Sequence, residues 1–154
     1  MEFVMKPIRI GDLLLTLWLH TDVDPPAASW DCAAVEINQI LELEPDIALR
    51  GLVVSDGGTP NREQREQVRQ LTVRAMSKLS VVTNAMSNPV VRGAAAVLRM
   101  LIPGITFYRP EDLDEAVAYL GIPPESLPMI QNELRRMQEQ LQPVKALAQM
   151  ARAL

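Results

Sequence analysis

The stretch LVVSDGGTPN, residues 52–61, decides the fold class of this chain. A short apolar run ends in Gly57-Gly58, and a helix start follows at once. This pattern is typical of a buried strand that delivers a loop to a helix N-terminus in an α/β protein. Such a junction exposes backbone N–H groups and is where these folds usually keep their function.

Apolar patterns on both sides of the junction predict strands that alternate with helices. Residues 3–10 and 13–20 favour a β-hairpin, because Gly11-Asp12 between them is a turn signal. Further along, the patterns predict strands at 52–55, 80–83 and 105–108, and helices at 27–43, about 61–78, 89–102 and 110–120.

Cap signals mark the starts of two of these helices. Asp24 is a candidate cap for the helix at 27–43, with Pro25 at its first position. Asn61 with Gln64 three residues later resembles a capping box. Thr59, followed by a proline, is an equally good start for the same helix.

The element order β-β-α-β-α-β-α-β-α predicts an α/β fold with a largely parallel sheet and right-handed crossovers. The leading hairpin is expected at one edge of the sheet. We divide the chain into an α/β domain at 3–122 and a C-terminal helical extension at 123–154.

Apolar residues of the extension are spaced alternately by three and four positions, which is a heptad seam. Pro143 should kink or break this helix near Gln140. The seam either packs on the domain's own sheet or docks onto another chain, and our hypothesis is a homodimer formed through it. Its members are Leu127, Ile130, Leu134, Met137, Leu141 and Val144.

Composition limits the function classes. The chain has 154 residues, 48% hydrophobic and 22% charged, which fits one globular domain. A net charge of −4 argues against nucleic acid as a partner. One cysteine excludes an intrachain disulfide, and no spacing suggests a metal or another cofactor. With no signal peptide and no apolar run long enough for a bilayer, we expect a cytoplasmic protein.

Isolated reactive residues give little support for catalysis. His20 and Cys32 are the single histidine and cysteine, and we expect Cys32 to be a buried thiol on a helix. Arg62, Arg65 and Arg69 fall on one helix face, where they either bind an acidic partner or pair with neighbouring glutamates.

A leading hairpin, alternating αβ units and a loop from the third strand into a helix resemble the STAS fold, and most closely its SpoIIAA-like group. In that family the loop carries Asp-Ser-Ser/Thr-Gly, and its serine is phosphorylated by a partner kinase. Here the loop reads SDGGT at 55–59, so Asp56 matches directly and Thr59 is the nearest hydroxyl at a capping position. The family's Ser-Gly is missing.

The resemblance implies a bacterial, non-enzymatic regulatory domain that contacts a protein partner. We expect its working face to be the loop and helix start, with Thr59 as the candidate phosphosite: Ser55, Asp56, Gly57, Gly58, Thr59, Asn61 and Arg62. The alternative is a carrier of a small molecule or lipid with an apolar interior. Poorly packed volume between the helix at 89–102 and the sheet would favour the carrier, whereas an exposed seam at 127–151 would favour the interaction domain.

Overall fold

A computed structural model describes residues 2–57 and 61–141 of the chain. The strands are β1 (Phe3–Ile10), β2 (Leu13–His20), β3 (Ala48–Ser55), β4 (Met76–Thr83) and β5 (Ile105–Tyr108). The helices are α1 (Ala27–Leu43), α2 (Arg62–Arg74), α3 (Pro89–Leu101), α4 (Leu113–Tyr119) and α5 (Leu127–Gln138). Short 3₁₀ turns lie at Asn84–Ser87, Pro110–Asp112 and Pro124–Ser126.

The five strands form one sheet in the order β1-β2-β3-β4-β5. β1 and β2 are antiparallel, and the other neighbouring pairs are parallel. The predicted α/β class, the edge hairpin and the largely parallel sheet are therefore confirmed. Because three right-handed crossovers advance in the same direction, α1, α2 and α3 all lie on one face of the sheet.

The sheet separates two apolar cores. On the first face, side chains of α1, α2 and α3 pack over β2, β3 and β4. On the second face, α4 and α5 pack over the same strands. β2 is buried on both sides, which explains why its sequence is almost continuously apolar.

Polar contacts attach the second layer to the sheet. Ser80 donates a hydrogen bond to the carbonyl of Ala116 at 2.8 Å, and Arg50 Nε donates to the carbonyl of Leu120 at 3.1 Å. Lys6 Nζ lies 2.5 Å from the largely buried carboxylate of Glu133 on α5. These bonds satisfy polar atoms that the packing of α4 and α5 removes from water.

The starts of β3 and β4, the end of α2 and the cap of α1 differ from the prediction. β3 begins at Ala48, four residues early, because Arg50 and Gly51 belong to the strand although neither is typical of one. α2 ends at Arg74, and the following residues alternate between buried and exposed as the start of β4. α1 begins at Ala27 with Pro26 at its N-cap and no side-chain cap, so the assignment of Asp24 and Pro25 was wrong.

Candidate functional site

Three polar residues end three neighbouring parallel strands in register. His20 of β2 is paired with Ser55 of β3, which is paired with Thr83 of β4. Their side chains are 7%, 4% and 4% exposed. Carboxyl ends of parallel strands are where open α/β sheets bind ligands, so this row is the natural place to look for a site.

The row lies at one end of an apolar cavity of about 370 Å³ between the sheet and the three-helix layer. Trp18, Val53, Val81 and Phe107 form its floor as one register row across β2 to β5. The inner side of α3 forms its roof, with Val91, Ala94, Ala95 and Leu98. Two of these four roof residues are alanines, whose side chains leave room beneath the helix.

The second register row of the floor is also shaped by a small residue. Gly51 stands between Thr16 and Leu79, and a Cβ at Gly51 would lie 2.6 Å from Leu79 Cδ1. A side chain at Gly51 would therefore push Leu79 out of its place at the cavity wall. Thr16 accepts the indole N–H of Trp18 at 2.8 Å, which holds the Trp18 ring against the cavity.

The hydrogen bonds of His20 assign its tautomer. Nδ1 lies 3.0 Å from the carbonyl oxygen of Thr21 and 3.2 Å from Ser55 Oγ. A carbonyl only accepts, so Nδ1 carries the proton, and Nε2 of the neutral ring is an acceptor. Burial lowers the pKa of His20, while the Thr21 carbonyl and the charges of Asp56 and Asp24 partly oppose this shift. The cavity thus ends at a neutral imidazole near pH 7.

The geometry does not make Ser55 a nucleophile activated by His20. Ser55 donates its hydroxyl proton to the carbonyl of Gly57 at 2.5 Å and accepts the Gly57 N–H at 3.1 Å. The nitrogen near Ser55 is the protonated Nδ1, which has no lone pair to take that proton. Ser55 and His20 therefore form a fixed polar end wall for the cavity.

The residues of the predicted working loop have different environments in the structure. Ser55 faces inward, Asp56 accepts a hydrogen bond from Asn84 at 3.3 Å, and Gly57 adopts a positive φ of 151°. Asn61 caps α2 in the predicted capping box, with both reciprocal bonds to Gln64 at 2.9 Å, and Arg62 is exposed. Gly58 and the proposed phosphosite Thr59 lie outside the described residues.

The arginine row and the cysteine also have definite places. Arg69 binds both carboxylate oxygens of Glu66, at 2.7 and 2.8 Å, and lowers the pKa of Glu66 to about 2. Arg65 lies at the edge of the cavity. Cys32 is exposed, so the expectation of a buried thiol was wrong.

The described part of the C-terminal seam is used within the chain. Ile130, Leu134 and Met137 are at most 1% exposed and pack into the core beneath α4 and α5. Leu127 and Leu141 pack against the same core, and Val144 lies outside the described residues. The homodimer through this segment stays a prediction, and the buried residues are not the ones to mediate it.

No protein-family model, no curated protein and no solved structure matches this chain. Among residues 2–57 and 61–141, no helix is long and apolar enough to cross a membrane. The same residues contain no group of three or more His, Cys, Asp or Glu side chains placed to hold a metal ion.

The sequence analysis named apolar volume beneath the helix at 89–102 only as the mark of a carrier, and it missed the polar row that ends this cavity. A usable signal was present, because three apolar runs end in a single polar residue at His20, Ser55 and Thr83. Strand ends of this kind meet at one edge of a parallel sheet. The sequence pattern assigned Ser55 to the loop and marked His20 only as an isolated histidine.

Proposed function

We propose that this chain is a carrier that binds a small molecule with an apolar body and one polar end. The observation that supports this function is the 370 Å³ cavity under α3, in the place where poorly packed volume favours a carrier. The volume lies within the range of about 300–1,000 Å³ that is typical of ligand pockets.

The lining of the cavity supports an apolar guest. Most of the side chains that line it are aliphatic or aromatic and offer no hydrogen-bond partner. Water at such a surface forfeits hydrogen bonds, whereas an apolar ligand gains van der Waals contacts with the lining.

The end wall indicates the chemistry of the ligand's polar end. Thr83 Oγ1 accepts the N–H of Ala85 at 3.2 Å, and its own hydroxyl hydrogen is available to a ligand acceptor. Nε2 of the neutral His20 ring accepts a hydrogen bond from a ligand donor. A hydroxyl group satisfies both, because it donates and accepts at once. A carboxylate could instead use Thr83 and the guanidinium of Arg65.

Two of the residues that line the cavity are exposed, Arg65 on α2 and Ala94 on α3. We infer from their exposure that the cavity opens between these two helices, and we call this opening its mouth. A ligand would enter there. The apolar interior then takes the body of the molecule, and the strand ends fix its orientation.

A STAS-like regulatory domain is the second candidate function. Exposed Asn61 and Arg62 at the start of α2 would be its contact surface. Ser55 gives it less support, because this side chain is buried and both bonds of its hydroxyl are internal. A protein partner that binds through Arg62 while the cavity stays empty would favour this function.

Native mass spectrometry of the purified full chain tests the carrier directly. We expect a mass above that of the polypeptide, and we expect added dodecanol to bind with one molecule per chain. Dodecanoic acid, compared in parallel, shows whether the end wall prefers a hydroxyl or a carboxylate. A chain that carries no guest and binds neither compound contradicts the proposal.

Two neighbouring valines provide a matched pair of variants. Val81 faces the cavity, whereas Val82 is fully buried in the core on the other face of the sheet. Val81→Phe should abolish dodecanol binding and leave the free energy of unfolding equal or higher, because the ring fills empty volume. Val82→Phe should cost about 1–3 kcal/mol by overpacking. Equal destabilisation by both would show that no cavity exists at Val81.

A further inference from the structure

The outer side of α3 is an exposed apolar surface on a helix that also roofs the cavity. Four large hydrophobic residues of this helix are strongly exposed: Val90 at 79%, Val97 at 55%, Met100 at 86% and Leu101 at 57%. They make up four of the nine exposed large hydrophobic residues in the described part of the chain. The remaining outward positions include the small residues Gly93 and Ala96.

Helical geometry sorts these side chains into two flanks. At 100° per residue, Met100 lies near the middle of the side of α3 that points away from the sheet. Val90, Val97 and Leu101 form a stripe on one flank, the side on which Ala94 borders the mouth of the cavity. Arg92 and Arg99 share the opposite flank, and the guanidinium of Arg99 lies 5.7 Å from the ring centre of Phe107 on β5.

Charge is distributed unevenly along the sequence around this helix. Residues 67–110 contain six arginines and lysines and no aspartate or glutamate. The rest of the chain contains nine basic and nineteen acidic side chains. Three of these six basic residues lie at α3 or next to it: Arg92 and Arg99 on the helix, and Arg109 directly after the edge strand β5. Of the others, Arg69 is paired with Glu66 on α2, and Lys78 lies over the Tyr119 ring of α4. Because α3 carries no acidic residue, its exposed apolar surface is locally basic.

We propose that α3 docks this protein onto the surface of an anionic phospholipid bilayer. Exposed aliphatic side chains enter the acyl boundary, and the arginines of the other flank meet the phosphates, as in helices that lie in a membrane interface. A second copy of the chain that meets α3 with its own α3 fits this surface less well, since that helix is basic and carries no acidic residue. The apolar stripe borders the cavity mouth, so docking would also bring the mouth against lipid.

Sedimentation with vesicles tests the docking. The full chain is mixed with vesicles of phosphatidylcholine alone, or of phosphatidylcholine and phosphatidylglycerol in equal amounts. We expect sedimentation with the anionic vesicles only, and release at high salt, because salt screens the arginine contribution. Arg92→Gln should weaken the binding about fivefold, since one basic residue near the surface contributes that factor.

A matched pair of double variants tests the apolar contribution. Met100→Gln with Leu101→Gln should weaken binding at least about tenfold, because two exposed apolar side chains are lost. Leu43→Gln with Val73→Gln removes two equally exposed side chains from α1 and α2 and should leave vesicle binding unchanged. Unfolding midpoints of all four proteins verify that the variants remain folded.

The docking does not depend on the cavity's ligand, so the two proposals fail separately. Val81→Phe should lose dodecanol and still sediment with anionic vesicles. The docking proposal is overturned if the wild-type chain does not sediment with anionic vesicles. It is also overturned if the Met100→Gln, Leu101→Gln variant binds these vesicles as strongly as the wild-type chain. A concentration-dependent dimer that this variant dissociates would also overturn it, and would assign the surface to a second copy.

Discussion

His20 is a buried titratable side chain at the end of β2. Burial lowers its folded-state pKa below the ordinary value of 6.5. The unfolded chain therefore binds a proton at His20 more tightly than the folded chain does. As a result, the free energy of unfolding falls as the pH drops. We expect the His20 contribution to be complete above pH 6.5 and to be lost progressively below it, down to the folded-state pKa.

Urea unfolding between about pH 8 and about pH 5 measures this dependence. His20→Asn keeps an N–H donor near the position of Nδ1 and removes the titration. Its unfolding free energy should vary less over the same range than that of the parent chain. An identical pH profile for the two proteins would show that other groups cause the acid sensitivity.

Asn61 provides a second prediction for a single residue. Its side chain accepts the N–H of Gln64, and the Gln64 side chain accepts the N–H of Asn61, both at 2.9 Å. Asn61→Ala removes an acceptor from the first turn of α2 and should cost about 1 kcal/mol of unfolding free energy. Asn61→Ser, which can still cap, is the control and should lose much less. Equal losses would show that the cap contributes little.

Single residues were predicted well where a local rule decides them and poorly where burial decides them. The Asn61 cap needed only the spacing to Gln64. Cys32 was placed in the interior from residue type alone, although the buried stripe of α1 at Trp30, Ala33, Ile37 and Leu41 leaves position 32 outside. The helical period was the better evidence.

From the sequence, helix α5 either packs on the domain's own sheet or docks onto another chain. In the structure, its apolar side chains lie in the core formed with α4 and β2. Leu134→Ala should therefore cost about 2–5 kcal/mol of unfolding free energy, as a cavity in a closed core does. Met129→Ala, at a position that is 42% exposed on the same helix, is the matched control and should have little effect. A small loss at Leu134 would mean that α5 is not part of the monomer's core.

Most helices and strands were predictable because their apolar periods are local. The hairpin and α1 follow directly from alternation and from helical spacing. The start of β3 was not predictable in this way, because the side chain of Arg50 finds a partner in the Leu120 carbonyl, seventy residues away, and no local pattern indicates that bond. The end of α2 failed for a similar reason: Met76 and Leu79 continue the apolar pattern of the helix but are used by β4.

At the scale of the whole molecule, the order of elements determines which face of the sheet each helix covers. It does not determine how closely a helix packs on that face. Three helices on one face follow from the crossover rule. The cavity depends on the distance at which α3 stands from the sheet, and its small inner residues would also suit close packing. Only the three-dimensional arrangement shows that Ala94 and Ala95 of α3 line the same cavity as Val53 and Val81 of the sheet.

A ligand in this cavity should stabilise the whole domain, because it binds the folded chain and not the unfolded one. At a free dodecanol concentration one hundred times its Kd, the expected gain in unfolding free energy is about 2.7 kcal/mol. Chemical unfolding of the delipidated chain, with and without dodecanol, measures the gain. Val81→Phe should show no gain, since its ring occupies the space, whereas Leu43→Gln, on the exposed end of α1, should show the full gain. An equal gain in the Val81 variant would place dodecanol outside the cavity and contradict the assignment of the site.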